Sequence, residues 1–498
     1  MTTYASIPIG YGLCMTGFDT RPVFFIIGAL LSVLAVAMLL PMTVDLAAGN
    51  PDWMVFAIAC ALTLFFGVQF MLANRMDRIA LNVRQAFLLT ALSWVVICAF
   101  AAVPFMVSQI DLTAADAYFE AMSSLTATGA TVISGLDGLA PGLLLWRSLL
   151  QWLGGIGIIS MAIAILPFLK VGGMQLFRSE SSDRSDKVTP RASDLAIAVG
   201  WIYLCLTAIC TVMLSYAGMS WFDAVNHAMT AVSTGGFSTR DASIASWNSP
   251  AVEWVLVVFM VLGGMPFVRF ISLAQGRAAS FWADTQIRWY LCFLAAVSFG
   301  MSIWLTLTRD VPWDDAIRVT TFNVVSVVTT TGYASIDYER WGPLASVVFF
   351  ILTFVGGCTG STSGGLKIFR FEILFIVLRA LQRRLYSPNL VIPLNYNGKP
   401  VSADVMISVM GFGFVYLMSV FVLAFVLAFL GVDVVSALSG AATAVSNVGP
   451  GLGPTIGPSG NFATLPDGAK WALAAGMLLG RLEFFTILVV LSPSFWRR

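Results

Sequence analysis

The chain has 498 residues; 58% are hydrophobic, only 11% are charged, and 27 Lys+Arg nearly balance 26 Asp+Glu. A soluble domain carries about 25% charged residues, so the composition excludes an ordinary cytosolic enzyme, a disordered chain and a disulfide scaffold. The near-neutral charge gives no reason to expect nucleic acid as a partner, and membrane lipid is the expected surrounding.

Apolar runs fall near 23–42, 53–73, 86–108, 142–168, 194–217, 250–274, 288–308, 343–385, 402–430 and 470–492. A spanning helix needs about 20 mostly apolar residues, so ten runs predict an all-α polytopic membrane protein. The run at 343–385 is too long for one uniform span and is interrupted at Gly356–Gly365. A polar stretch, Met1 to Arg21, precedes the first run, so no cleaved leader is expected. Cys60, Cys98, Cys205, Cys210, Cys292 and Cys358 lie in apolar stretches and read as small packing residues. The single histidine, His227, and the lack of a CxxC or HExxH motif argue against an enzyme and against a His-ligated metal.

Most Lys and Arg fall in one alternate set of connections, which predicts that set, and both termini, to be cytoplasmic. The acids, among them Asp116, Asp223, Asp315 and Asp433, gather in the opposite set. An acidic outer mouth concentrates cations.

Four of those outer connections share one pattern of small and hydroxyl residues ending in glycine. They read Ser124-Leu125-Thr126-Ala127-Thr128-Gly129, Ala231-Val232-Ser233-Thr234-Gly235-Gly236, Val328-Thr329-Thr330-Thr331-Gly332 and Val445-Ser446-Asn447-Val448-Gly449. A second glycine landmark follows in each next span: Gly154-Gly155, Gly263-Gly264, Gly356-Gly357 and Gly480. Each repeat is thus expected to be span, re-entrant loop, span. Residues 1–80 form an extra N-terminal hairpin, 81–192 the first repeat, 193–286 the second, 287–400 the third with a loop at 356–365, and 401–498 the fourth.

The stretch before each loop glycine begins near Asp116, Asp223, Asp315 or Asp433, each expected to cap a helix. A helix of about 12 residues reaches only ~18 Å, against a hydrocarbon core of ~30 Å. Such helices enter partway and return as loops, which is allowed at depth only where protein or a water-filled path satisfies the backbone. Their C-terminal ends carry about −0.5 charge each. Four converging ends favour a cation, and extended backbone between them can replace a hydration shell with carbonyls. The candidate ligands are Ala127, Thr128 and Gly129; Ser233, Thr234 and Gly235; Thr330, Thr331 and Gly332; and Asn447, Val448 and Gly449.

The break in the eighth run holds Gly356, Gly357, Thr359, Gly360, Ser361, Thr362, Gly364 and Gly365. That composition weakens a helix and suits a flexible polar loop across the pathway below the filter. Its GxxxxG-Leu366-Lys367 end is only a near-miss to a phosphate-binding loop, because the Lys is displaced and no strand precedes it. Arg481 lies mid-membrane, where it costs about 2.5–3.5 kcal/mol or more. It is read as an electrostatic barrier beside the gate loop.

The chain resembles the membrane subunit of Trk-type bacterial potassium uptake systems, within the wider Trk/Ktr/HKT superfamily. The resemblance covers nearly the whole length. It rests on the four filter loops, Gln151-Trp152-Leu153-Gly154-Gly155-Ile156-Gly157, Gly172-Gly173-Met174-Gln175-Leu176 with Arg178, Gly356 through Lys367, Gly480-Arg481-Leu482-Glu483 and Ser492-Pro493-Ser494-Phe495-Trp496. It implies a homodimer in a bacterial inner membrane, one ion pathway per subunit, an intramembrane gating loop and a cytoplasmic nucleotide-binding regulatory ring. Lys170 through Arg191 reads either as a solvated cytoplasmic loop or as a docking surface for that ring. In plant relatives a Ser in place of the first filter glycine goes with sodium transport, so Gly129 implies potassium (K+) as the cargo, with no organic cofactor. The alternative is a proton- or sodium-coupled cation symporter. Repeats that all begin on one side favour a pore, since rocking transporters use inverted repeats.

Overall fold

The structure, a computed structural model, describes residues 18–77, 81–164, 192–389 and 392–496. The segment 172–178 and the basic loop 170–191 lie outside the described residues, as do Arg78, Arg497 and Arg498. Among the described residues, seven helices are long and apolar enough to cross a membrane: Arg21–Ala47, Trp53–Ala73, Val83–Val107, Pro141–Met161, Asp194–Tyr216, Thr285–Arg309 and Ala403–Phe429. Two helix pairs, Pro250–Gly263 with Phe267–Ala274 and Asp467–Arg481 with Phe485–Leu491, are bent by 98° and 113°. The run at 343–385 divides into helices Pro343–Leu352 and Ile368–Tyr386. The molecule is a multi-pass helical membrane protein.

The two bends have different causes. Pro266 has φ −67° and no N–H to extend a helix, so the helix Pro250–Gly263 stops short of it. The last run was expected to be one span. It breaks instead after Arg481, where Glu483 takes the left-handed φ of 55° without any proline to announce it.

The first two long helices pack on each other through small residues. A methyl group on Gly28 would lie 2.6 Å from the Gly67 carbonyl oxygen, so the backbones touch where neither carries a side chain. This hairpin is pinned to the rest by the buried Asp45, whose Oδ1 accepts the Gly142 N–H at 2.6 Å.

Between successive spans sit four short helices: Ala114–Leu125, Trp221–Val232, Trp313–Val328 and Val434–Ser446. Their starts correct the sequence reading in three cases. The N-caps are Thr113, Ser220 and Pro312, which puts Asp116, Asp223 and Asp315 three residues into the helix. Thr113 and Ser220 accept the N–H of that aspartate and donate their own hydroxyls to its carboxylate, at 2.7 and 2.8 Å. Only Asp433 caps as expected, accepting the Ser436 N–H at 3.0 Å. That bond holds its carboxyl below the usual carboxylate range.

Candidate functional site

The four short helices end alike. Thr128 N–H donates to Ser123 O at 2.9 Å, Gly235 N–H to Thr230 O at 2.8 Å, Thr331 N–H to Ser326 O at 2.8 Å and Val448 N–H to Thr443 O at 3.1 Å. The residue before each donor is left-handed: Ala127 (φ 51°), Thr234 (52°), Thr330 (59°) and Asn447 (56°). This is the hydrogen-bond pattern that terminates a helix and turns the chain away. The residue after each donor is a glycine, also with positive φ: Gly129 (87°), Gly236 (74°), Gly332 (84°) and Gly449 (112°).

That equivalence shifts repeat two by one residue from its sequence alignment. Gly236, not Gly235, matches the other three glycines. Gly235 takes the place of Thr128, Thr331 and Val448, and Ser233 falls one position before the turn. Two adjacent glycines hide this register in the sequence, and only the helix-ending bond resolves it.

The glycines face one another's chains in cyclic order. A methyl group on Gly129 would strike the Gly235 carbonyl oxygen, one on Gly236 the Thr331 oxygen, and one on Gly332 the Val448 oxygen. On Gly449 it would sit 2.8 Å from the Thr128 oxygen, which closes the ring. Both the backbone angle and the missing room require glycine here. The four expected loops therefore surround one axis. Their side chains are engaged elsewhere. Thr126 and Thr128 share a hydroxyl bond of 2.7 Å, as do Thr329 and Thr331, and Asn447 Nδ2 donates to Thr128 Oγ1 and to Met477 O. This leaves carbonyls for the axis, and Val448 can occupy the place of a threonine.

The glycine-rich loop lies against the C-terminal ends of these helices. Thr362 Oγ1 bonds to Val232 O at 3.1 Å and to Gly263 O at 3.0 Å, and Gly364 N–H donates to Thr330 Oγ1 at 2.6 Å. Gly364 has no room for a side chain beside the Ser446 carbonyl. The loop also satisfies the backbone freed by the break between Pro250–Gly263 and Phe267–Ala274: Cys358 N–H donates to Gly264 O at 2.8 Å and Phe267 N–H to Gly360 O at 3.0 Å. Thr359 N–H reaches Gln286 Oε1 at 3.0 Å, and Gly357 N–H reaches Ser363 Oγ at 2.8 Å. Ser361 Oγ turns back to Cys358 O, and Gly356 N–H and Leu366 O close the base of the loop at 2.8 Å.

Arg481 Nη1 donates to Thr362 O at 2.8 Å, while its Nε and Nη2 have no hydrogen-bond partner among the described residues. Glu483 does not serve Arg481. It pairs with Arg370 at 2.5 Å, and that guanidinium lies 3.6 Å over the Phe412 ring. Lys367 Nζ donates to Ser363 O. Thr359, Ser363, Gly364, Lys367 and Arg481 line one cavity beside the loop.

A family model described as TrkH, cation transport protein, matches residues 53–498. The chain belongs to the TrkH cation transport family. It is 46% identical over 478 residues to the Trk system potassium uptake protein TrkI of Halomonas elongata, covering 96% of this chain and 97% of the relative. It is 36% identical to the Trk system potassium uptake protein TrkH of Escherichia coli K12, covering 96% and 99%. The crystal structure of the potassium transporter TrkH from Vibrio parahaemolyticus superposes with a TM-score of 0.89 at 34% identity, covering 96% of this chain and all of that one.

In this TrkH-family chain three of the four acids at the starts of the short helices are paired with a base. Asp116 pairs with Lys470 at 2.5 Å, Asp223 with Arg240 at 3.6 Å and Asp315 with Arg318 at 2.8 Å. They anchor the helices more than they charge a mouth. Glu339 performs a similar task between repeats, accepting the Gly453 N–H at 3.0 Å, and burial raises its carboxyl pKa. His227 is a packing residue, with its ring between Asp223 O (2.7 Å) and Ser238 Oγ (3.0 Å) and against Trp247.

Two residues that anchor the loops carry no local signal in the sequence. Arg147 pairs with Glu120 at 2.8 Å, both nearly fully buried, and reaches across to Ser238 O at 3.1 Å. Glu120 also accepts the Val132 N–H at 3.0 Å. Truncating one partner leaves a buried charge unpaired, at a cost of about 3–5 kcal/mol. Glu120→Ala should therefore lower thermal stability in detergent sharply, while Asp137→Ala, at an exposed pair with Arg240, should leave it unchanged.

Proposed function

We propose that this chain takes up potassium selectively across a bacterial inner membrane through its four-loop ring. The Thr128, Gly235, Thr331 and Val448 carbonyls, with those of the adjoining Gly129, Gly236, Gly332 and Gly449, replace the ion's water. The single observation that carries this reading is the cyclic approach of each glycine to the next repeat's carbonyl. That relatives are named potassium uptake proteins supports reading the ion as potassium. The loop 356–365 acts as the gate, and Arg481 beside it repels a passing cation. Inward flow draws on the membrane potential, worth about 2.3 kcal/mol per charge per 100 mV. The working assembly is a homodimer with one pathway per subunit, both termini in the cytoplasm, and a cytoplasmic nucleotide-binding ring that controls the gate.

Rubidium uptake into proteoliposomes tests the energetics. An imposed inside-negative potential should drive it with no pH or sodium gradient. Uptake that requires either gradient would replace the pore by coupled symport.

A further inference from the structure

The ring is not equally held on its four sides. Gln151, fully buried on the helix Pro141–Ala164, donates from Nε2 to the Gly235 carbonyl at 2.7 Å. Its Oε1 accepts the Phe237 N–H at 3.2 Å. One carboxamide thus spans the backbone on both sides of Gly236. The fit is close, because a methyl group on Gly235 would strike the same carboxamide.

The other repeats lack this device. Gly154, Gly263 and Gly480 each pack on the end of their own short helix, against Leu125 O, Val232 O and Val445 O. Counting back three residues from each of these glycines, as from Gly154 to Gln151, gives Met260 and Met477. Neither side chain can donate a hydrogen bond. The third repeat's landmark, Gly356, packs instead on the gate loop at Gly364 O, and the same count gives Thr353, whose hydroxyl donates to Phe349 O.

We propose that Gln151 is a specificity-determining positioning residue. It draws charge from the Gly235 oxygen, one of the Thr128, Gly235, Thr331 and Val448 set, and fixes the distance of that chain from the axis. An oxygen that already accepts a strong bond offers a weaker field to a metal ion. A weaker field penalises small, tightly hydrated sodium more than potassium, because less is returned for stripping its water. The two-point clamp also keeps repeat two, which has two adjacent glycines, from collapsing onto a smaller ion. This inference rests on the ring being the selectivity filter, and its test separates the two.

Gln151→Glu keeps the shape and the acceptor for Phe237 and, at a pH where its carboxyl is ionised, removes the donor to Gly235. Gln151→Met removes both and installs the side chain found at the matching place in repeats two and four. Sodium and rubidium uptake are measured in proteoliposomes at matched amounts of folded protein, with Gly129→Ser alongside. Each Gln151 variant should lower the rubidium-to-sodium ratio by about fivefold, the weight of one net hydrogen bond. Gly129→Ser should lower it too. If Gly129→Ser lowers the ratio and both Gln151 variants keep it, Gln151 is structural and the inference is overturned. If all three keep it, the filter reading fails and takes this inference with it. A Gln151→Met protein that does not fold leaves the decision to Gln151→Glu.

Discussion

Gly236→Ser should cost this chain its preference for potassium over sodium as severely as Gly129→Ser. Both glycines have φ values, 74° and 87°, that an L-residue adopts at a cost of roughly 1–2 kcal/mol. Both also face a neighbouring carbonyl with no room for a Cβ, the Thr331 oxygen in one case and the Gly235 oxygen in the other. Neither penalty can be relieved without moving an oxygen away from the axis, and each 1.4 kcal/mol is tenfold in discrimination. A fall of about tenfold or more in the rubidium-to-sodium uptake ratio is expected for each variant. An unchanged ratio in Gly236→Ser with a large fall in Gly129→Ser would mean that the helix-ending bonds do not set the register of repeat two.

Arg481→Ala should raise basal rubidium flux about tenfold or more, while Arg481→Lys should raise it much less. Arg481 is buried, with one guanidinium nitrogen tied to Thr362 O and two others left without a hydrogen-bond partner among the described residues. Its charge is thus little compensated, unlike that of Arg370, which Glu483 neutralises. A unit charge about 8 Å away in an effective dielectric of about 20 opposes a passing cation by about 2 kcal/mol, or about thirtyfold in rate. Removing the side chain also frees the Thr362 carbonyl, which loosens the loop in the same direction. Single-channel or vesicle flux at matched expression decides the matter. Equal gains in the Ala and Lys variants would assign the effect to the lost packing of the loop and not to charge.

The plan of the molecule could be read from residues whose partners are close in sequence. Short hydroxyl-rich stretches ending in glycine marked four re-entrant loops, and five glycines in ten residues marked the break at 356–365. The helix starts at Thr113 and Ser220 were also legible, since a hydroxyl residue three before an acid is a capping signature. What escaped is non-local. Nothing near Gln151 says that it meets Gly235 and Phe237, more than 80 residues away, and nothing near Glu120 says that Arg147 lies beside it. The bend after Arg481 has no proline and depends on Glu483 leaving the helix to reach Arg370. The register at Gly235-Gly236 is ambiguous in sequence because either glycine satisfies the pattern.

Anomalous diffraction from the protein with rubidium or thallium bound is the most direct test of an ion held by backbone carbonyls on the shared axis. A peak encircled by the Thr128, Gly235, Thr331 and Val448 oxygens, weakened in Gly236→Ser, is the expected result. Saturating ion with no peak inside that ring, or a peak held only by side-chain oxygens outside it, would contradict the carbonyl filter.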